Sequence, residues 1–372
     1  MKFAIITSAD HGIENNKYFS YAPYVNEMNI WIKYANEITI VSTLSLIEKS
    51  NISEFYIHDK IHFISTKSFN VITRKSVFMA FLNIPKILFQ IFKVFRNADH
   101  IHLRCPGNMG LLACIVQMFF PSKIKTAKYA GNWDPKVKNP FSYKLQKWIL
   151  SNTFLTKNMQ VLVYGEWENQ SKNIKPFFTA TYKEADKQEV KIKNFEKSIN
   201  FIFVGMLTSG KNPQYAIQII EKLKLKFQNI NLSFFGEGIE REKLEKHIKL
   251  NKLEDYVFLK GNQNLEILKK AYSESHFMIL PSESEGWPKA VAEAMFWQCL
   301  PISTNVSCVS NMLDNGNRGL LIDMNLEVDV KKIENILNDE SDYQEKVSNA
   351  INWSRNYTLD YFEQEIKLLL QS

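Results

Sequence analysis

Short runs of β-branched and aromatic residues alternate along the chain with longer stretches whose apolar positions recur every three or four residues. This is the pattern of parallel strands joined by covering helices. In the first half KFAIITS, EITIVST, KIHFIST, DHIHLR, KIKTAKYAG and QVLVYG predict strands, and residues 18–34, 75–96, 108–120 and 141–154 predict helices. After residue 175 the periodicity fades and charge rises, which predicts a surface linker over 176–198. INFIFVG restarts the alternation, followed by strands NLSFFGEG, YVFLKG, HFMILPS, LPISTN and GLLID, with helices near Pro213, Ile239, Leu265 and Pro288. The expected organisation is therefore α/β: a Rossmann-like domain over 1–175, the linker, and a second Rossmann-like domain over 199–350. Trp353, Tyr361, Phe362, Ile366 and Leu369 recur at helical spacing, so residues 351–372 predict an amphipathic helix that crosses back to the first domain.

Composition supports two packed cores: the chain has 372 residues, 45% of them hydrophobic and 23% charged. Cys105, Cys114, Cys299 and Cys308 show no two-residue spacing, which predicts reduced thiols rather than a zinc or redox motif. The opening MKFAIITSAD reads as a first strand and not a signal peptide, so a cytoplasmic location is expected. The net charge of +7 is uneven: residues 1–175 carry +11 and the remainder −4. A basic first half suits an anionic surface or anionic acceptor.

Ligands of open α/β sheets bind beyond the carboxyl ends of the strands, so the loops after strands carry the candidate chemistry. In FVGMLTSGKNPQYAI a strand ends at Gly205, Lys211 follows, and Asn212 and Pro213 resemble the cap and first residue of a helix. That helix N-terminus with a lysine beside it is suited to an anion, and Lys211 on a diphosphate oxygen is worth about 1.5–3 kcal/mol. In FFGEGIERE, Gly236 and Gly238 flank Glu237 and leave room for a nucleotide base or ribose. In ILPSESEGWPKAVAEAMFWQCLPIST, Gly286 and Trp287 precede a helix that Pro288 opens, Glu285 lies in the loop and Glu293 lies in the helix. These carboxylates are expected on the order of 10 Å apart, within the span of one nucleotide sugar. Each accepts the two protons of a diol, which suits Glu285 to a hexose and Glu293 to a ribose. Trp287 is placed either to stack on a sugar face or to pack against its own domain.

The segment PSESEGWPKAVAEAMFWQCLPIST resembles the signature of family 4 glycosyltransferases, the glycosyl transferases group 1, and VGMLTSGKNP, FFGEG and GLLID are similar to that family's other donor-site segments. The resemblance covers the C-terminal domain and reaches the N-terminal half only through its architecture. It implies a GT-B fold, two Rossmann-like domains facing a central cleft, with a nucleotide-sugar donor, retention of configuration and neither metal nor other cofactor. Two positions depart from the family pattern. Met206 stands where an Arg is usual, and Gly131, Asn132 and Trp133 occupy the region where the family often has a histidine.

His11, followed by Gly12 after the first strand, and Asp134 are the candidates to replace that histidine, with Gly12 near the phosphates. Arg104, Asn132 and Asp134 are the candidates for the acceptor side. The catalytic assignment is thus Glu285, Lys211 and His11; donor binding falls to Gly205, Lys211, Gly236, Gly238, Glu285, Gly286, Trp287, Glu293 and Gly12. The chain has no Asp-x-Asp metal-diphosphate motif. Residues 76–96, rich in Phe, Ile and Leu with Lys86, Lys93 and Arg96, read either as a segment that lies on a membrane at its inner face rather than spans it, or as a helix buried against the sheet. The expected partners are a nucleotide sugar and a glycan or lipid-linked acceptor in surface polysaccharide or envelope synthesis, with no nucleic acid. A non-catalytic nucleotide-sugar-binding protein and a nucleotide-sugar epimerase are the competing readings.

Overall fold

The computed structural model describes residues 1–67, 74–189 and 193–371, and side chains are described for all of these except 74–82. The chain forms two compact units, Met1–Phe178 with Phe362–Ser372, and Thr179–Tyr361.

The first unit contains, in chain order, β1 (Lys2–Ile6), β2 (Gly12–Glu14), β3 (Lys17–Tyr21), α1 (Ala22–Ile32), β4 (Glu37–Thr43), β5 (Ser53–Phe55), β6 (Ile61–Thr66), α2 (Arg74–Asn97), β7 (His100–Cys105), α3 (Asn108–Val116), β8 (Ile124–Tyr129), α4 (Phe141–Ser151), β9 (Met159–Tyr164) and β10 (Ile174–Phe177). Its main sheet has the order β10-β9-β8-β7-β1-β4-β6, and every pairing in it is parallel. Such a sheet is covered on both faces, which explains why Phe3, Ala4, Ile5 and Ile6 are all buried. On one face Ile87, Ile91 and Phe95 of α2 and Leu112 and Ala113 of α3 close the core.

The first predicted helix starts later than its periodicity suggests. Residues 17–21 form β3, the centre of a separate antiparallel sheet β2-β3-β5. The reason is local: Asn15 and Asn16 both adopt left-handed backbone, at φ 50° and 62°, and turn the chain into a tight hairpin, while Pro23 fits only the first turn of α1.

The second unit contains β11 (Ile199–Val204), α5 (Pro213–Lys224), β12 (Ile230–Phe235), α6 (Arg241–Leu250), β13 (Val257–Leu259), α7 (Leu265–Glu274), β14 (Phe277–Leu280), α8 (Lys289–Phe296), β15 (Leu300–Thr304), α9 (Val309–Met312), β16 (Leu320–Ile322), α10 (Leu326–Leu337) and α11 (Glu340–Ser354). Its sheet is again parallel, in the order β13-β12-β11-β14-β15-β16. Several helices start on side-chain caps, as where Asn264 accepts from the amide of Ile267 at 3.0 Å.

The stretch expected as a linker is tied into the folded units. Phe177 ends β10, and from Thr179 onward the chain belongs to the second unit. Lys193 is held by the carbonyls of Ser275 at 2.6 Å and Gln298 at 3.0 Å, and its burial lowers the ammonium pKa to about 8. Residues 190–192 lie outside the described residues. The last helix, α12 (Leu359–Gln371), starts after α11 has ended, and Phe362 packs on Phe177 and Phe178 within the first unit. Lys128 sits among these rings, with its ammonium 2.8 Å from the Phe178 carbonyl and 4.5 Å from the centre of the Phe177 ring.

Candidate functional site

Both sheets reverse direction once. In the second unit the chain runs from β11 to β12 and β13 on one side and then returns to β14 on the other, so the loops after β11 and β14 part at a switch point where α/β sheets hold ligands. Lys211 ends the first loop in a single 3-10 turn, and Glu285 lies in the second. The structure brings them together: the Lys211 ammonium donates to Glu285 Oε1, with the Glu285 side chain 8% exposed and that of Lys211 23%. Two further bonds hold the loops, from the Glu283 amide to the Gly210 carbonyl at 2.9 Å and from the Asn212 side chain to the Pro281 carbonyl at 3.0 Å. Asn212, expected as a helix cap, therefore spends its side chain on the neighbouring loop. It adopts left-handed backbone at φ 48° and makes no side-chain cap bond to α5.

Gly236 and Gly238 have a different role from the one expected. A Cβ on Gly236 would stand 1.9 Å from the Gly205 carbonyl oxygen, and one on Gly238 would stand 2.3 Å from that of Leu207. The room they make is filled by protein backbone. The loop after β12 is thereby zipped onto the loop after β11, through Gly205 N–H to Phe235 at 3.0 Å and Leu207 N–H to Glu237 at 2.9 Å. These glycines thus shape the loop that carries Lys211, because only residues without a side chain allow two backbones this close.

Gly286 is anchored through its carbonyl by the Ser307 hydroxyl at 3.1 Å and the Cys308 thiol at 3.2 Å. Of the two readings of Trp287, the structure has the packing one: it stacks on Trp353 at 6.2 Å and meets Tyr357 edge-on at 5.9 Å. Glu293, one turn into α8, accepts from Thr181 at 2.7 Å on one oxygen and from Tyr272 at 3.1 Å on the other. Burial, followed by the Glu293 charge, pushes the Tyr272 hydroxyl well above its ordinary range, so it remains a donor. Each oxygen keeps a further lone pair for a ligand hydroxyl. Met206 is exposed beside Gly205.

The first unit has its own switch point, between β1 and β7. A cavity of about 830 Å³ opens there, lined by Ser8 and Asp10 after β1, Arg104 at the end of β7, Gly131 after β8, and Ser20 and Tyr24. Arg104 is the one expected acceptor-side residue in this lining; it pairs with Glu27 at 2.8 Å and lies over the Tyr24 ring. Asn132 and Asp134 instead build a local turn, accepting from the amides of Asp134 at 2.9 Å and Lys136 at 2.8 Å.

His11 is not available to a ligand. Its side chain is fully buried, Nδ1 contacts the Ala9 carbonyl at 2.8 Å, Nε2 contacts the Tyr56 hydroxyl at 2.9 Å, and the ring stacks on Tyr56. Burial lowers its pKa to about 4, partly opposed by the Ala9 carbonyl. Gly12 exists for packing as well: a Cβ there would stand 2.2 Å from the Phe19 ring. The sequence pointed to His11 in the loop after β1; in that loop it is the adjacent Asp10 that lines the cavity. Ser20 and Tyr24 carried no signal, because the hairpin that delivers Ser20 was itself read as helix.

Residues 184–353 match the family model of the glycosyl transferases group 1. Among related proteins, an alpha-1,4-N-acetyl-D-galactosaminyltransferase of Campylobacter jejuni, named for an undecaprenol-linked substrate, is 28% identical over 182 residues, 48% of this chain and 50% of the relative. The capsular polysaccharide biosynthesis glycosyltransferase CapH of Staphylococcus aureus is 35% identical over 127 residues, 31% of this chain and 33% of its own. The chain thus spans about half the length, or less, of the curated relatives it matches. Two solved structures are similar over all of this chain: Anabaena HepE in complex with UDP, with a TM-score of 0.70, 12% identity and 100% of its own length covered, and the sucrose-phosphate synthase of Thermosynechococcus elongatus, with 0.69, 15% and 98%. With two Rossmann-like units and the loop pair of Lys211 and Glu285 inside the matched region, the chain has the GT-B fold, and its residues 184–353 are those of a glycosyl transferases group 1 segment.

Proposed function

We propose that the protein is a retaining, metal-independent glycosyltransferase that moves a sugar from a nucleotide-diphosphate sugar to a glycan or lipid-linked acceptor in surface polysaccharide or envelope glycan synthesis. The observation that carries this reading is the pairing of Lys211 with Glu285 at the switch point of the family-matched unit. UDP in the similar HepE structure, and the capsular and undecaprenol-linked names of the relatives, support the donor and acceptor classes. A lipid-linked acceptor places the protein at the inner face of the cytoplasmic membrane.

In this reading Glu285 accepts hydroxyl protons of the donor sugar, Glu293 accepts those of the ribose, and Lys211 shifts from Glu285 to the diphosphate. As the bond from the anomeric carbon to the diphosphate breaks, its electron pair stays on the leaving phosphate oxygen, where Lys211 and the helix N-termini of α5 and α8 meet the charge. The acceptor oxygen attacks the same face, and its proton passes to that phosphate oxygen. No protein nucleophile is needed, and the acceptor is assigned to the first-unit cavity that Arg104 lines.

Purified protein incubated with UDP-, GDP- and ADP-sugars tests this. One donor should raise the melting temperature and be turned over on addition of a membrane lipid extract, in the presence of EDTA. Exposed Met206, standing where the family usually has a cation, favours a second reading as a non-catalytic nucleotide-sugar binder. Donor binding without nucleotide release under any acceptor would establish that reading instead.

A further inference from the structure

Charge and aromatic exposure coincide in one part of the first unit. Between residues 61 and 165 the sequence carries 12 Lys and three Arg but only two acidic residues, Asp99 and Asp134. Among the described residues, every exposed Phe or Trp falls within the same stretch: Phe89, Phe92, Phe119, Phe141, Trp148 and Phe154. Neither fact follows from the other, and soluble surfaces do not normally gather Phe.

Contacts join three separate segments of this stretch into one face at the amino ends of β7, β8 and β9. Phe92 of α2 packs on Phe120 with ring centres 4.9 Å apart. Lys123 donates to the Ala98 carbonyl at 2.6 Å, which fastens the turn before β8 to the end of α2. Asn158 donates to the Pro121 carbonyl at 3.1 Å, and Gln117 to the Leu155 carbonyl at 3.0 Å, which brings up the turn holding Phe154 and Lys157. Lys93 and Lys157 lie over the rings of Phe89 and Phe154, at 5.2 Å in each case, so ammonium and ring are presented together.

We infer that this face, centred on Phe89, Phe92, Phe119 and Phe154 with Lys93 and Lys157, docks the protein on an anionic lipid bilayer. Phe contributes wholly apolar area to the acyl boundary while lysines meet the lipid phosphates, the division of labour of a monotopic surface. A protein partner is disfavoured by composition, because the cores of such interfaces are depleted in Lys. Among the described residues no helix is long and apolar enough to cross a membrane, so the contact is peripheral. The face differs from the segment that the sequence suggested: it uses the last turns of α2 and two later turns, whereas the side chains of 76–82 lie outside the described residues. The inference deepens the lipid-linked reading above, and it is measured without turnover, so its failure leaves the transfer reading standing.

The full chain is floated with phosphatidylcholine vesicles that either contain or lack about a third phosphatidylglycerol. Binding is expected to the anionic vesicles alone and to fall steeply with salt. Lys93→Glu with Lys157→Glu, and separately Phe119→Ser with Phe154→Ser, should each lower it at least about tenfold with melting temperature unchanged, since the four side chains are exposed. Lys249→Glu with Leu250→Ser, on the exposed surface of the second unit, should leave it intact. The inference is overturned by absent or equal binding to both vesicle types, or by full binding of the two variants. It is overturned equally if the Phe pair instead abolishes self-association of the protein in sedimentation, which would make the face a contact between copies of the chain.

Discussion

At the carboxyl ends of β1 and β7 the first unit keeps an open cavity of about 830 Å³, whereas at the same place in its own sheet the second unit draws its two loops together through Lys211 and Glu285. The topology is shared; what fills it is not. In the first unit the cation Arg104 is committed to Glu27, whose side chain is 3% exposed, and so belongs to the scaffold of the cavity. In the second unit the Lys211 ammonium is paired with Glu285, and in the proposed reaction it leaves that carboxylate for the diphosphate while a sugar hydroxyl takes its place on Glu285. An open space lined by hydroxyls suits a variable acceptor, and a paired charge suits an invariant diphosphate.

Turnover provides the strongest test of this contrast. Glu285→Gln and Lys211→Ala should each lower kcat by about 100- to 1,000-fold, as for loss of one group that stabilises charge in the transition state. Near-normal turnover in either would move the chemistry away from this loop pair. Stability comes next: Arg104→Met removes both the ion pair with Glu27 and the contact with the Tyr24 ring and should cost about 3 kcal/mol, read from the urea midpoint, whereas Lys211→Ala removes a single ion pair and should cost less. Equal losses would erase the distinction between scaffold and site.

Acid should separate the units further. Burial holds His11 and His100 in the first unit, and His276 in the second, at a pKa of about 4, and pushes His102 of the first well below its ordinary value. Unfolded, each takes up its proton near 6.5. Between those values the unfolded state binds more protons, so the stability is fully present above pH 6.5 and is lost as the pH falls toward 4. From pH 7 to pH 5 each such histidine should remove about 2 kcal/mol, and hydrogen exchange should open the first unit before the second. The smallest effect concerns Trp287→Leu, which should cost about 1 kcal/mol of aromatic packing and leave the donor KM unchanged. A raised KM with unaltered stability would return Trp287 to the sugar.

Legibility differs between the units for physical reasons. In the second unit each candidate lies at a strand end or a helix start, and the loop positions of Lys211, Glu285 and Gly286 follow from strand and helix periods alone. Gly236 was marked correctly as a place of close approach, but what approaches it is the Gly205 backbone, and a sequence does not say which chain fills a gap. In the first unit His11 and Asp10 are neighbours in one loop. An antiparallel hairpin, set by Asn15 and Asn16, closes over one and leaves the other facing the cavity.

The sequence alone determined the two alternating α/β units, the strand ends that carry chemistry and the uneven charge, because these rest on period, propensity and local spacing, and its motif in the second unit resembles those of group 1 glycosyltransferases. Tertiary structure alone decided that Lys211 meets Glu285 across 74 residues, that Arg104 is spent on Glu27, that Trp287 packs on Trp353, and that basic and aromatic residues from three segments share one face. Each of these depends on which elements become neighbours in space, and that is settled only when the strands take their order in the sheet.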